Sequence, residues 1–318
     1  MRRFRRDGYN VTGNVYNTVI YCDEVSIETE QNREVLREKL LERDLREVDV
    51  VVFDLETTGL NPDFGDEIVE FGAVRMRGFE VLGEFESLAD PGRGISPAAA
   101  AVNGITGDML RGAPELDKVF PGFLDFIGDS PLVAQNAKFD VGFVGRKAAA
   151  AGLRVPDNVV FDTLRLARRL QPGHASYSLV NLVARLGIDS LPEHRALGDV
   201  YATMKVFETL MSPYARDGIS VGAALELQGG TVPWPKFKRE ELEFRPQNAT
   251  ELNLLQAIKD DEALTIEYES GDGAATTRDV RPLTISRRNG HGYLVAHCFL
   301  RNEERIFRVD RLNILDTE

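Results

Sequence analysis

Two acidic residues two positions apart, Asp54 and Glu56, have the spacing that most directly suggests chemistry. They lie near the end of the apolar, β-branched segment VDVVVFDLE, which predicts a strand buried on both faces. Because side chains alternate along a strand, both carboxylates are expected on the same face. They repel each other, and the next basic residue along the chain is Arg75. This predicts a divalent metal site, and the alternative is a pair of solvated acids at a strand end.

Two further acids strengthen the metal hypothesis. Asp140 follows the predicted strand in LVAQNAKFDVGF, and Asp199 lies in HRALGDVYAT, in a helix predicted to begin around Arg195. Taken alone, Asp140 could be a helix cap and Asp199 a surface acid beside Arg195. Four acids at strand ends and helix starts of one domain instead predict a cluster for two Mg²⁺ or Mn²⁺ ions, the arrangement used in phosphodiester cleavage.

These segments carry a family resemblance. FDLETTGL with EIVEFGAV, then QNAKFD, then HRALGDVYAT resemble the three exonuclease motifs of the DnaQ-like, DEDD-type 3′–5′ exonucleases. The resemblance covers about residues 48–211, with all four acids in order. His194 precedes Asp199 by five residues, while Arg195 stands where the other subgroup carries a tyrosine. The chain therefore resembles the histidine subgroup, DEDDh.

The resemblance implies a role for each matching residue. The metal ligands would be Asp54, Glu56, Asp140 and Asp199, holding ions that activate the attacking water and stabilise charge on the scissile phosphate. His194 would be the general base. The residues expected to contact the 3′-terminal nucleotide are Thr57, Thr58, Gly59, Leu60, Asn136 and Phe139. Leu60 and Phe139 could equally belong to the core. Gln135 and Asn103 stand where family members often carry histidines, neither of them a metal ligand.

The C-terminal segment resembles a WYL domain through IEYES, RDVRPLTI, GYLVAHCFLR and ERIFRVDRL, although Gly292 stands at the position of the naming tryptophan. A short helix and four strands are predicted there. Residues 281–311 hold seven arginines against three acids. The predicted nucleic-acid or ligand contacts are Arg281, His297, Arg301, Arg305, Arg308 and Arg311. Ion pairing of these arginines with nearby acids, and a core position for His297, are equally weighted alternatives.

The predicted organisation has four parts. Residues 1–47 form an appendage with one amphipathic helix, 48–212 the exonuclease domain, 213–248 a linker and 249–318 the WYL-like domain. The fold class is α/β, since strands are followed by alternating helices and strands. The resemblances imply an RNase H-like mixed sheet with flanking helices and a small Sm- or SH3-like β-barrel. An N-terminal arginine cluster either contacts nucleic acid or is a frayed terminus; its members are Arg2, Arg3, Arg5 and Arg6.

Composition limits the remaining choices. The chain has 318 residues, a formal net charge of −13 and two cysteines, Cys22 and Cys298. A disulfide scaffold is excluded, and the acidic balance requires that any nucleic-acid contact use local basic patches or bound cations. The basic start MRRFRR precedes a polar segment rather than an apolar one, and no apolar run has the length of a membrane helix. We therefore expect a cytoplasmic protein with no membrane contact.

Together these observations predict a two-metal 3′–5′ exonuclease that releases nucleoside 5′-monophosphates from nucleic-acid 3′ ends. Single-stranded DNA is the favoured substrate, with a role in DNA repair or proofreading. One alternative is a regulator in which the WYL-like domain senses a ligand or nucleic acid and the nuclease domain is a binding platform. The other is an RNA-trimming exoribonuclease. The sequence makes no prediction of oligomeric state.

Overall fold

The computed structural model of the chain describes residues 3–6, 9–12, 28–189, 195–237, 244–271, 273–288 and 290–315. The chain divides into two compact units. The first consists of Met1–Thr58, Ile68–Gly142 and Pro156–Trp234, and the second of Gly59–Glu67, Phe143–Val155 and Pro235–Glu318. Short segments from the middle of the chain therefore belong to the same unit as its C-terminal part.

The first unit is built on a mixed sheet. Its strands are β1 (Arg3–Arg6), β2 (Tyr9–Thr12), β3 (Val50–Thr57), β4 (Ile68–Arg77), β5 (Glu80–Leu88), β6 (Leu132–Ala134) and β7 (Val160–Asp162). Among the described residues their spatial order is β1-β2-β5-β4-β3-β6-β7. Strand β3 is central, because it pairs antiparallel with β4 and parallel with β6. The predicted mixed α/β architecture is confirmed.

Helices cover both faces of this sheet. They are α1 (Glu28–Glu42), α2 (Pro97–Asn103), α3 (Gly107–Arg111), α4 (Leu116–Ile127), α5 (Lys138–Ala150), α6 (Thr163–Leu170), α7 (Leu179–Leu186), α8 (Ala196–Ala215) and α9 (Val221–Gln228). On one face, α4 brings Phe123 against Phe53 and Phe71 of the sheet, with ring centroids 5.9 and 4.9 Å away. On the other face, α8 packs against β3 and β4. The central strand is thus buried from both sides, as its β-branched sequence predicts.

The approach of α8 to the sheet depends on Gly72 in β4. A Cβ atom built at this glycine would lie 2.5 Å from the carbonyl carbon of Ala196, the first residue of α8. No side chain fits that space without moving the helix. The sequence EFGAV therefore contains the residue that allows the start of α8 to touch β4.

The ends of the first unit differ from the sequence prediction. Residues 3–6 and 9–12 form a hairpin that adds to the sheet beside β5, whereas no strand is predicted there. Helix α1 ends at Glu42, and Leu36 is 62% exposed while Leu40 and Leu41 pack on the core. Residues 213–248, predicted as a linker, contain α9, which begins at a cap made by Ser220. Helices this short derive their stability from tertiary packing, so sequence periodicity alone does not reveal them.

The second unit contains α10 (Ala249–Asp260), β8 (Leu264–Glu269), β9 (Ala275–Arg288), β10 (His291–Cys298), β11 (Glu303–Arg308) and β12 (Leu312–Leu315). These strands form an antiparallel sheet in the order β11-β10-β9-β8-β12. The prediction of four strands missed one, because a 3₁₀ turn at Val309–Arg311 divides the last segment. Strand β12 then crosses to pair with β8.

The membrane prediction concerns helices only. Among the described residues, no helix combines the length and the apolar character that crossing a bilayer requires.

Candidate active site

Strand β3 presents Asp54 and Glu56 on one face. Residues 50–53 are buried, and from there the strand alternates between partly exposed acids and buried neighbours. Across the antiparallel pair, Asp54 lies opposite Gly72 and Glu56 lies opposite Glu70. The two acids therefore share the face of the sheet on which α8 packs, as the alternation of side chains in a strand requires.

Helix α8 brings a third acid to this face. Asp199 lies in its first turn, is 8% exposed, and donates its backbone N–H to the carbonyl of Arg195 at 3.0 Å. One carboxylate oxygen from each of Asp54, Glu56 and Asp199 lies within 4.8 Å of the other two. Residues 145 positions apart in sequence are thus close enough to share an ion.

Asp140, the fourth predicted acid, lies beside this group of three rather than within it. It is in the first turn of α5 and only 2% exposed. Burial raises its pKa well above the usual value, while hydrogen bonds from its own backbone amide and from that of Leu55 act in the opposite direction. Among the neighbouring charges, Asp140 has the largest effect in raising the pKa of Asp54. Asp140 therefore lies alongside β3 and next to Asp54.

The electrostatics of the cluster suit a divalent cation. Burial is the main cause that raises the pKa of Glu56 to about 8, followed by the charges of Asp199 and Glu70. Burial and three neighbouring carboxylates likewise raise the pKa of Asp54 well above its usual value. Such a group of buried acids repels itself unless a cation or protons compensate it. Carboxylate oxygens are the preferred ligands of Mg²⁺ and Mn²⁺, so the residues present fit these ions.

We expect the metal-free protein to become less stable as the pH rises from about 5 to about 8. The folded state holds a proton on Glu56 up to a pKa of about 8, while the unfolded chain releases it near 4.5. Over this range the folded state binds more protons, so the free energy of unfolding falls with increasing pH. Thermal unfolding of chelator-treated protein across this range measures the effect. The Glu56→Gln variant should show a smaller slope, and an equal slope in both proteins would contradict the assignment.

The residues predicted to contact substrate occupy different environments. Thr57 and Thr58 are buried, 7% and 1% exposed, at the end of β3. Leu60 is 85% exposed, so it is not a core residue. Gly59 belongs to a tight turn in which a Cβ atom would lie 2.5 Å from the carboxylate oxygens of Asp66. An exposed leucine on a turn after the acidic strand is available to contact a base.

Asn136 adopts a left-handed backbone conformation, with φ of 59°. Its N–H donates to the carboxylate of the buried Asp162 at 3.0 Å, and its carbonyl accepts the N–H of Phe139 at 2.9 Å. Asparagine tolerates this conformation better than most residues do. Its side chain is exposed and that of Phe139 is partly exposed, immediately before Asp140.

Sequence reasoning missed two residues that hold the acids. Asn103 is 4% exposed, and its side chain hydrogen-bonds the Glu56 carboxylate and donates to the Thr57 carbonyl at 3.4 Å. Glu70 is 1% exposed and binds Arg195. Asn103 drew attention only as a departure from the family pattern, and Glu70 only as part of EIVEFGAV. Their partners are far away in sequence, which periodicity does not report.

His194, the predicted general base, lies outside the described residues, as does Cys22. In the second unit, the predicted contact residues separate into different groups. The guanidinium of Arg281 lies over the ring of Phe299, and the ring of His297 is 5.2 Å from the same phenylalanine. His297 is partly exposed, on the opposite face of β10 from the core.

The other arginines of that set have acidic neighbours or lie in turns. Arg305 pairs with Glu303 at 2.9 Å, and Arg308 pairs with Asp310 at 2.5 Å. Arg301 is exposed in the turn after β10, and Arg311 lies in the 3₁₀ turn before β12. Arg281 and Arg301 therefore remain the members of the set least neutralised by close ion pairs, since Arg281 is 3.8 Å from Asp261.

Comparison with protein families decides what these two parts of the chain are. Residues 51–207 match the model of the exonuclease family, and residues 250–316 match that of the WYL domain. The chain carries an exonuclease domain followed by a WYL domain. The exonuclease match contains Asp54, Glu56, Asp140, His194 and Asp199, and the resemblance drawn from the sequence motifs is confirmed.

Curated relatives match the same region. Over 159 residues the chain is 44% identical to DNA polymerase III PolC-type of Bacillus cereus, covering 50% of this chain and 11% of that protein. Over 191 residues it is 40% identical to a putative bifunctional exonuclease/endonuclease protein of Mycobacterium tuberculosis, covering 58% and 30%. The chain thus spans between about a tenth and a third of the length of these two relatives.

Solved structures that resemble the chain include Exonuclease X in complex with 5′ overhanging duplex DNA. That match has 29% sequence identity and a TM-score of 0.46, and it covers 57% of this chain and 99% of that one. Another is E. coli Exonuclease I in complex with a dA16 oligonucleotide, with 20% identity and a TM-score of 0.48, covering 79% and 55%.

Proposed function

We propose that this chain is a metal-dependent 3′–5′ exonuclease that hydrolyses phosphodiester bonds at nucleic-acid 3′ ends. The observation that carries the proposal is the convergence of Asp54, Glu56 and Asp199 within 4.8 Å, with Asp140 beside them. Acids this close and this buried have little structural purpose without a cation. Their occurrence within a domain that matches the exonuclease family gives the cluster its chemistry.

Each residue of the site has a distinct part in this proposal. Two Mg²⁺ or Mn²⁺ ions held by Asp54, Glu56, Asp140 and Asp199 would supply positive charge for activating water and stabilising the leaving 3′-oxygen. Asn103 orients the carboxylate of Glu56 by a hydrogen bond. His194 takes the proton of the attacking water. The 3′-terminal nucleotide is held by Thr57, Thr58, Gly59, Leu60, Asn136 and Phe139.

The preferred substrate in this proposal is single-stranded DNA, with nucleoside 5′-monophosphates as products and DNA repair or proofreading as the role. The relatives named as PolC-type DNA polymerase III support a DNA substrate. The test is digestion of 3′-labelled single-stranded DNA, duplex DNA and RNA of the same sequence, each with Mg²⁺ or Mn²⁺. Faster release of 5′-monophosphates from single-stranded DNA is expected. Faster digestion of RNA would instead identify an RNA-trimming nuclease, and no release from any substrate would refute the proposal.

The finer fold assignments and the location belong to the same proposal. We assign residues 48–212 to an RNase H-like exonuclease domain flanked by an N-terminal appendage and a linker. Residues 249–318 then form an Sm- or SH3-like barrel, which the antiparallel order β11-β10-β9-β8-β12 supports. We place the protein in the cytoplasm.

A second candidate function follows from the match to the WYL domain. In this alternative the chain is a regulator whose WYL domain senses a ligand or nucleic acid, and the nuclease domain only binds. Because this reading predicts binding without turnover, the digestion experiment separates the two. A stable complex with single-stranded DNA in Mn²⁺, with no product released, would favour the regulator.

Removing the WYL domain is a poor test of its contribution to substrate binding. Within the second unit, Phe64 packs edge-on against Tyr293 with ring centroids 5.5 Å apart, and Arg288 lies 3.5 Å from Asp63. Deleting the C-terminal strands would therefore expose Phe64. Substitutions on the surface of the sheet leave this packing intact.

We expect the double variant Arg281→Ala, Arg301→Ala to raise KM for single-stranded DNA by roughly 3- to 10-fold with little change in kcat. Removing two phosphate-binding cations weakens ground-state and transition-state binding equally, and lowers the slope of log KM against log salt by about 0.7 per contact. Steady-state kinetics at several salt concentrations measure both effects. The variant Arg216→Ala, which removes an exposed arginine just after α8, is the control for charge. An unchanged KM and salt slope in the double variant would refute this surface as a DNA contact.

A further inference from the structure

Glu70 is a buried acid beside the predicted metal ligands that none of the assigned roles uses. It lies on β4 directly opposite Glu56, on the same face of the sheet, and is 1% exposed. A carboxylate in this position would add to the repulsion within the cluster unless it is paired. Its partners therefore decide what it does.

Both oxygens of Glu70 are occupied by the start of α8. The Nε of Arg195 donates to Oε1 at 3.0 Å and to Oε2 at 3.1 Å, and Nη2 donates to Oε1. The backbone N–H of Ala196 donates to Oε2 at 3.0 Å. A fork of charge-assisted hydrogen bonds fixes direction as well as distance. A carboxylate held in this way is not available as a metal ligand, and it is not part of the group formed by Asp54, Glu56 and Asp199.

This ion pair also caps α8. Arg195 is the N-cap residue of the helix and makes no side-chain cap to its own backbone. The Ala196 N–H is one of the amides that a helix start leaves without an internal partner, and an acid at this end is favourable for the helix dipole. Glu70 supplies that acid from the neighbouring strand, while Gly72, two residues along the same face, lets the backbone of Ala196 approach.

We propose that Glu70 and Arg195 are positioning residues that set the first turn of α8, and hence Asp199, relative to Asp54 and Glu56. This inference rests on the proposed function. Asp199 lies one turn after Arg195 and bonds to its carbonyl, so a shift of the helix start moves this ligand directly. His194 is the residue that precedes Arg195 in the sequence, so the same anchor fixes the chain next to the predicted base.

Mn²⁺ affinity separates positioning from simple electrostatics. The double variant Glu70→Gln, Arg195→Ala keeps the net charge of the wild type but removes the ion pair. We expect its Mn²⁺ affinity, measured by electron paramagnetic resonance titration of the full chain without DNA, to fall by about 10- to 100-fold, with kcat reduced similarly and KM unchanged. Arg195→Ala alone makes the site more negative, which would strengthen Mn²⁺ binding on electrostatic grounds. Positioning predicts that it weakens.

Arg195→Lys retains the charge without the fork and should restore only part of the lost affinity. The control is Arg77→Ala, which removes another ion pair from β4, that with Asp49 at 2.6 Å, and should leave both readouts within about twofold. Wild-type Mn²⁺ affinity in the double variant would overturn the inference. If the double variant does not fold, wild-type affinity in Arg195→Lys would overturn it. Tight Mn²⁺ binding by a wild-type protein that cleaves nothing would refute the proposed function, while the affinity comparison would still test the positioning role.

Discussion

Replacing Asp54 with Asn is expected to reduce exonuclease activity by at least about 10³-fold while leaving binding of single-stranded DNA largely intact. Asp54 is the acid closest to all parts of the cluster, since Asp140, Glu56 and Asp199 each affect its ionisation. An amide keeps the shape of the side chain but loses the charge and one oxygen ligand. Removal of a single hydrogen-bond donor to a transition state already reduces rates by about 10²- to 10³-fold, and loss of a shared metal ligand should exceed this.

The measurement is single-turnover digestion of 3′-labelled single-stranded DNA by protein purified free of metal and re-dosed with Mn²⁺. Asp199→Asn should behave in the same way, because its carboxylate belongs to the same group. Asp125→Asn is a matched control, since this exposed acid lies on α4, which packs against the other face of the sheet. Full activity in either site variant would contradict the assignment of the acids as metal ligands.

The position of Asp54 and Glu56 could be predicted from sequence because it depends on local geometry alone. Two residues separated by one position in a strand share a face, whatever the rest of the fold does. The approach of Asp140 and Asp199 could not be derived in this way. It depends on how α5 and α8 pack on the sheet, and it was predicted only through the resemblance of the motifs to a family.

Residues that support the acids illustrate the limit of sequence reasoning. Glu70 and Arg195 are 125 positions apart, and the bond between them is evident only once α8 lies across β4. Asn103 likewise reaches Glu56 from α2, a helix of seven residues. Neither pairing leaves a periodic signal, so the sequence presents these residues as an ordinary acid, a surface arginine and a departure from a motif.

Several elements of the fold were similarly hidden. Strands shorter than five residues, such as β1, β2 and β12, have too few residues to show alternation. Strand β12 also follows β11 after only a 3₁₀ turn, so the two appear as one apolar segment in the sequence. The long helices with clear apolar faces, α4 among them, were predicted within one or two residues of their bounds.

Replacing His194 with Ala should reduce kcat by about 10²- to 10⁴-fold, the usual contribution of a general base, and should change the shape of the pH–rate profile. With the imidazole present, the rate should rise as the ring loses its proton and then level off, since only the neutral ring accepts a proton. Without it, hydroxide must replace the base, so the rate should continue to rise with pH. The sequence fixes His194 next to Arg195, which Glu70 anchors at the start of α8.

The distinguishing measurement is therefore kcat from about pH 6 to pH 9.5 at saturating Mn²⁺ for the wild type and for His194→Ala. The variant His291→Ala is the control, because this exposed histidine lies in the WYL domain beside Asp310. A uniform loss of activity with an unchanged pH profile would assign His194 a structural or binding role. A levelling of the rate that disappears together with the imidazole would identify it as the group that accepts the proton from water, which completes the chemistry that the acidic cluster alone cannot supply.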